Sequence, residues 1–182
     1  TSAIKQGVKR FIYLSTAHVY RSPLVGTISE YTETTNIHPY ATSHLAGENP
    51  VLEASGNSNM DGIVIRLSNS FVAPAHDHVD CWLLLTNDLC RQAIVTGELV
   101  LQTHGNQVRD FVPLTDVCRA IEYLIQTDTD QLNSLVLNIG SGKPCTVLEI
   151  VHLVQDCCMD FLNFEPAIYR SEPSELEKNE IL

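Results

Sequence analysis

The chain has 182 residues, 44% of them apolar, and its 22 acidic against 11 basic side chains give a net charge of −11. That length suits one well-buried domain. The acidic balance argues against a nucleic-acid or anionic-membrane surface, both of which need clustered Lys and Arg, and no apolar run reaches the ~18–20 residues of a membrane span.

Six cysteines (Cys81, Cys90, Cys118, Cys145, Cys157, Cys158) show neither a C-x-x-C pair nor regular spacing. Several fall in apolar-periodic segments, where free Cys behaves as a small hydrophobe. A reduced, cytoplasmic compartment is the economical reading.

Residues 1–7 read as the last turn of a helix, with Gly7 in the left-handed position after it. Phe11–Ser15 is apolar on both faces, as a buried parallel strand is. Residues 21–39 form a loop marked by Pro23, Gly26 and Pro39. A helix is expected from about Tyr40 towards Ala54, ended by the S-G-N-S-N turn at 55–59. Pro50 lies inside it and is expected to kink it, or to split it after Glu48, because proline removes a backbone hydrogen bond.

Gly62–Leu67 is a second buried strand by its β-branched content. Residues 70–80 form a loop, and residues 81–95 an amphipathic helix with Leu85, Leu89 and Ala93 four apart. Leu99–Gln102 and Arg109–Val112 read as short strands either side of a Gly-Asn turn at 105–106. Thr115 and Asp116 offer a cap to the next helix, Leu135–Ile139 is a further strand, and Thr146 caps the helix after it. Beyond Pro166 come a short β-like piece and an acidic tail with Glu172, Glu175, Glu177 and Glu180. Strands alternating with helices make the class α/β with a mainly parallel sheet.

Four stretches carry candidate chemistry. In Y-A-T-S-H, Tyr40 and His44 are four apart and share one helix face. Upstream, the strand F-I-Y-L-S-T ends in the hydroxyls of Ser15 and Thr16. A phenol, with a reference pKa near ~10, is a weak base at neutral pH unless a cation and a hydroxyl donor stabilise its anion. The other stretches are I-R-L-S-N-S-F-V-A-P at 65–74, V-R-D-F-V-P-L-T-D at 108–116, and N-I-G-S-G-K-P-C-T at 138–146. The last is not a P-loop: Leu137 stands where the first glycine belongs, and Pro144 follows Lys143 instead of Ser or Thr. His76, Asp77 and His78 have metal-capable side chains but no second anchored pair at ligand spacing, so no metal is expected.

Together these motifs, over most of the chain, resemble the extended short-chain dehydrogenase/reductase family, which holds nucleotide-sugar epimerases and dehydratases. The resemblance implies the later part of a Rossmann-like parallel sheet in residues 1–70. It implies a mainly substrate-binding, small α+β subdomain in residues 71–182, with strands interleaved with the first. Thr16, Tyr40 and His44 take the catalytic positions, His44 standing where the family has Lys. Ser15, Tyr40, His44 and Ser68 fall at cofactor-binding positions, and Asn69 and Arg109 at substrate-binding ones. Arg109 matches the arginine that takes the substrate pyrophosphate, a task suited to a planar, permanently charged fork.

The implied cofactor is NAD or NADP and the implied partner a nucleotide-sugar, with a homodimer through the tyrosine-bearing helix as a further implication. The Gly-rich turn that grips the dinucleotide occurs nowhere in the chain. The chain is therefore expected to be the later part of a longer protein, and inactive alone. Family dehydratases carry an Asp-Glu pair directly after the Thr; Ala17 and His18 stand there instead, which favours an epimerase or related oxidoreductase. A non-catalytic nucleotide-sugar-binding relative is the alternative, motivated by His44 and by Val72–Ala73 in place of an aromatic-Gly pair.

Overall fold

The computed structural model describes residues 2–21 and 23–171; the acidic residues Glu172, Glu175, Glu177 and Glu180 lie outside them. In chain order the helices are α1 (Ser2–Lys5), α2 (Pro39–Asn57), α3 (Leu85–Thr96), α4 (Leu114–Gln126) and α5 (Val147–Leu162). The strands are β1 (Arg10–Thr16), β2 (Asp61–Leu67), β3 (Asn69–Phe71), β4 (Glu98–Leu101), β5 (Val108–Arg109), β6 (Phe111–Pro113), β7 (Val136–Ile139), β8 (Cys145–Thr146) and β9 (Ala167–Arg170). Two compact units result, one from Thr1–Ser70 with Val112–Gly140, the other from Phe71–Phe111 with the chain from Ser141 on.

The first unit is a parallel sheet in the order β1-β2-β7. β2 is central, and its Ile63, Val64 and Ile65 are fully buried because both faces are covered. Ile63 and Ile65 pack with Ile121 and Leu124 of α4. The alternate residues Gly62 and Arg66 meet Val51 and Glu48 of α2, as the two-residue period of a strand requires. Arg10 closes one end of this unit. Its guanidinium donates to the carbonyls of Leu124 and Thr127, 2.6 Å each, and to Asp61 Oδ2 at 2.8 Å. That hydrogen bond holds the Asp61 carboxyl below the usual carboxylate range. Its contribution to stability is therefore present at neutral pH and fades as pH falls through the carboxyl's folded pKa.

α2 runs unbroken through Pro50 from Pro39 to Asn57, longer than the sequence suggests and not split after Glu48. Glu48, Val51 and Ala54 are buried on one side of the helix, so burial anchors it on both sides of the proline. Its last carbonyls are met locally: Asn57 Nδ2 donates to the Glu53 carbonyl at 2.9 Å and Ser58 Oγ to that of Ala54 at 2.6 Å. The close approach of α2 to β2 depends on Gly62, where a Cβ would collide with the backbone carbonyl of Val51. That carbonyl belongs to a packed helix and cannot yield cheaply. Gly62→Ala should therefore cost about 1–3 kcal/mol, to be read from a denaturant midpoint.

In the second unit, α3 and α5 pack over β4, with Leu89, Ala93, Leu99, Leu101, Val151 and Val154 in the core. β4 and β5 do not form a hairpin about residues 105–106. β4 pairs in parallel with β9, and β5 antiparallel with β8. The turn cannot close a hairpin because its backbone serves the start of α5: the Gly105 carbonyl accepts from Leu148 N–H, and that of Gln107 from Val147 N–H. Thr146 caps α5 in a reciprocal box with Glu149. The backbone and hydroxyl of Thr146 hold the Glu149 carboxyl below its ordinary range. α4, by contrast, starts at Leu114 after Pro113 with no side-chain cap. Asp116 sits in its first turn and pairs with Arg119 at 3.1 Å instead of capping. All six cysteines are free, and no helix among the described residues is long and apolar enough to cross a membrane.

Candidate active site

In parallel sheets, ligands are met at the carboxyl ends of the strands. The registers Thr16↔Leu67 and Leu67↔Ile139 place the ends of β1, β2 and β7 level with one another. Thr16 closes β1 here, Ser68 follows β2 with its N–H on the Ile139 carbonyl at 3.0 Å, and Asn69 is next in the chain. Thr16 is buried, and its Oγ1 accepts the His18 N–H at 3.2 Å, capping a 3₁₀ turn over 17–19. The hydroxyl proton of Thr16 donates to no described residue.

His38 and Pro39 set where α2 begins. His38 Nδ1 accepts the Tyr40 N–H at 3.2 Å, and Pro39 supplies a helical φ at the first position, where no N–H is needed. Tyr40 thus lies in the first turn, 51% exposed, and its hydroxyl makes no hydrogen bond among the described residues. His44 packs edge-on against it, ring centroids 4.7 Å apart, and a second imidazole, His18, lies 6.0 Å from the Tyr40 ring. The Nδ1 atom of His44 is buried without a partner. A cleft of about 690 Å³ opens beside Tyr40, lined also by His18, Arg21, Asn36 and His38. Asn36 Nδ2 donates to the His18 carbonyl at 2.7 Å and so fixes one wall.

Beneath this surface lies a buried polar network absent from the sequence reading. Glu48, one turn past His44, receives Arg66 Nε at 3.0 Å and a terminal Arg66 nitrogen at 2.6 Å on its two carboxylate oxygens. Ser15 Oγ donates to the same carboxylate at 2.6 Å, so this hydroxyl, expected on the cofactor, has its proton committed to Glu48. Burial works against the Arg66 charge, but the hydrogen bonds to Glu48 and Tyr20 outweigh it and keep the guanidinium protonated. Arg66 also donates to the Tyr20 hydroxyl at 3.0 Å, and that hydroxyl donates to Asn138 Oδ1 at 2.7 Å. The Asn138 N–H in turn donates to Glu30 Oε1 at 2.8 Å. A signal for the network was available: Glu48 continues the four-residue spacing of Tyr40 and His44, and a charge inside the run I-V-I-R-L has to be paired.

In the second unit Arg109 is exposed, its guanidinium 2.8 Å from Gln107 Oε1, with no carboxylate on it among the described residues. Its neighbour Asp110 explains the G-S-G-K loop. The Asp110 carboxylate accepts the N–H groups of Ser141 and Gly142 and the Ser141 hydroxyl, each at 2.8 Å. Those N–H groups, which a phosphate would need, are already satisfied. The rings of His76 and His78 stack 5.5 Å apart, and no group of three metal-capable side chains is found among the described residues.

A parallel sheet covered on both faces, with a Tyr–His helix turn above its strand ends, defines a Rossmann-like α/β protein. Residues 1–140 match the NAD dependent epimerase/dehydratase family, and the chain belongs to that family. It is 27% identical over 158 residues to a dTDP-glucose 4,6-dehydratase of Streptomyces niveus, covering 86% of this chain and 44% of that protein. It is 27% identical over 197 residues to a probable UDP-arabinose 4-epimerase 3 of Arabidopsis thaliana, covering 93% and 46%. The fold is shared with MoeE5, solved in complex with UDP-glucose and NAD, at a TM-score of 0.75 and 23% identity over 94% of this chain and 54% of that one. The chain thus spans about half the length of the relatives it matches.

Proposed function

We propose that a full-length protein carrying this chain acts as an NAD(P)-dependent epimerase, or a related oxidoreductase, on a nucleotide-sugar, with Tyr40 as the acid–base group. The observation that carries this reading is the half-exposed Tyr40, its hydroxyl free of hydrogen bonds among the described residues, with the unpartnered Nδ1 of His44, whose ring packs against it. An orphaned buried ring nitrogen fits a ligand hydroxyl, so the site is compatible with a dinucleotide. Tyr40, His44 and Ser68 would hold its nicotinamide–ribose half. When bound, that group supplies hydride acceptance and return.

The chain's own residues supply the rest. Tyr40 takes the proton of the sugar hydroxyl at the carbon being oxidised and returns it after the keto sugar has presented its other face. Thr16, whose hydroxyl proton is uncommitted, donates to the reacting oxygen. Ala17 and His18 offer no carboxyl pair for eliminating water, which favours epimerisation over dehydration. Asn69 and Arg109 take the substrate, and the second unit serves as the substrate-binding subdomain. UDP- and dTDP-sugars are the first candidates, since these are named for the relatives.

The test is a titration of such nucleotide-sugars into the protein and its Arg109→Ala variant. Loss of a charged, bidentate phosphate contact should weaken binding by about 1.5–3 kcal/mol. Unchanged affinity for every nucleotide-sugar would remove the pyrophosphate assignment.

A further inference from the structure

The N-terminal half of α2 carries both candidate reacting side chains, and small residues bring it close to the sheet: Ala41 is buried and Gly47 lies against the Tyr13 ring. Between Pro39 and Glu48 the buried residues are Ala41 and Glu48 alone. A buried alanine fixes distance but not rotation, since a methyl group has no direction to satisfy. Pro50 follows and removes a rung of the helix ladder. What has direction is the Glu48 carboxylate, 1% exposed, which accepts three hydrogen bonds of 2.6–3.0 Å. Each donor stands beside a site residue: Ser15 precedes Thr16, and Arg66 lies two residues before Ser68. The same network reaches the loop bearing the cleft wall, through Tyr20, Asn138 and Glu30.

We propose that Glu48, clamped by Arg66 and Ser15, is a positioning residue that sets the rotation and register of α2, and with them the reactive pose of Tyr40 and His44. The i, i+4, i+8 spacing makes the link direct. Tyr40, His44 and Glu48 form one stripe, and turning the helix to move Glu48 off Arg66 turns the other two by the same angle. A buried ion pair is a poor device for stability alone, since an apolar side chain of similar volume serves as well or better. Its use here fits a need for one defined geometry. The inference rests on reading Tyr40 and His44 as the reacting pair.

The experiment compares Glu48→Asp, which keeps the charge but withdraws it by one methylene, with Val51→Ala, which loosens the same helix outside the network. Two readouts are taken: the imidazole resonances of ¹⁵N-histidine-labelled protein, with His44 followed against pH, and kcat and KM for a nucleotide-sugar. Both variants should lower the unfolding midpoint. Glu48→Asp should in addition shift the His44 resonances and lower kcat about tenfold or more with KM within about twofold, whereas Val51→Ala should leave both near wild type.

His44 resonances and kcat that respond alike in the two variants would overturn the proposal. If Glu48→Asp does not fold, the neutral pair Glu48→Gln with Arg66→Met replaces it, and a wild-type His44 signal there overturns the proposal equally. No turnover of any nucleotide-sugar by a full-length protein carrying this chain would sink the functional reading, while the His44 comparison would still decide the positioning role.

Discussion

Tyr40→Phe should lower turnover of a nucleotide-sugar by about 10²–10⁴-fold while leaving substrate affinity nearly unchanged, the range associated with removing a positioned acid–base group. The ring and its packing on His44 survive the change; only the proton-carrying oxygen goes. Rates measured against pH would add the role of His44. A lysine at that position is a compact ammonium with no acceptor, whereas an imidazole offers a ring nitrogen and no fixed charge. No carboxylate pairs with His44 among the described residues, and the acid one turn along, Glu48, is committed to Arg66 and Ser15. The rate with His44 in place should then be lower than a lysine there would allow. His44→Lys should raise that rate and move the rising limb of the profile to lower pH. Full activity in Tyr40→Phe would remove the mechanism whatever His44 does.

Arg66→Met should be the most damaging single change to the first unit. It leaves the Glu48 carboxylate buried at 1% exposure with the Ser15 hydroxyl as its remaining donor. Breaking a buried pair from one side costs about 3–5 kcal/mol. The pH dependence of the variant should betray the cause. An uncompensated buried carboxylate has a folded pKa above its unfolded value of about 4.3. The unfolded state then releases its proton first as pH rises, so the variant should lose stability from about pH 4.3 upward until the folded pKa is passed. Denaturant melts at pH 4.5 and 7.5 would show it. A loss that is the same at both values would mean that Glu48 finds another partner.

The α/β class and the order of elements were legible because β2 and β7 are apolar runs and α3 and α5 carry strong periodicity or caps. The continuity of α2 was not, since proline's local cost is visible in a sequence while the burial of Glu48 and Val51 either side of it is not. The pairing of the strands either side of 105–106 was hidden for the same reason: a Gly-Asn turn signals a reversal but not which strands pair. At the site, Tyr40 and His44 could be placed side by side from spacing alone. Ser15 was assigned by its neighbourhood, and only three-dimensional proximity shows its hydroxyl turned towards Glu48. Asp110 was hidden in a motif quoted for its arginine, although a carboxylate beside a glycine-rich loop often serves to tie such a loop down.

The proline inside α2 has a bearing on how this region breathes. Pro50 contributes no amide to the ladder, so the Ala46 carbonyl lacks its intrahelical partner. Cooperative opening of a helix propagates through such rungs, and a missing rung is a natural border between two opening units. Amide exchange should therefore divide α2 at Pro50 into two opening units, a Tyr40-bearing half tied to β1 and β2 through Glu48 and a half beyond the proline packed on β2 through Val51. Tyr40 then sits on a segment whose opening requires the Glu48–Arg66 pair to part, whereas the helix beyond the proline can open without it.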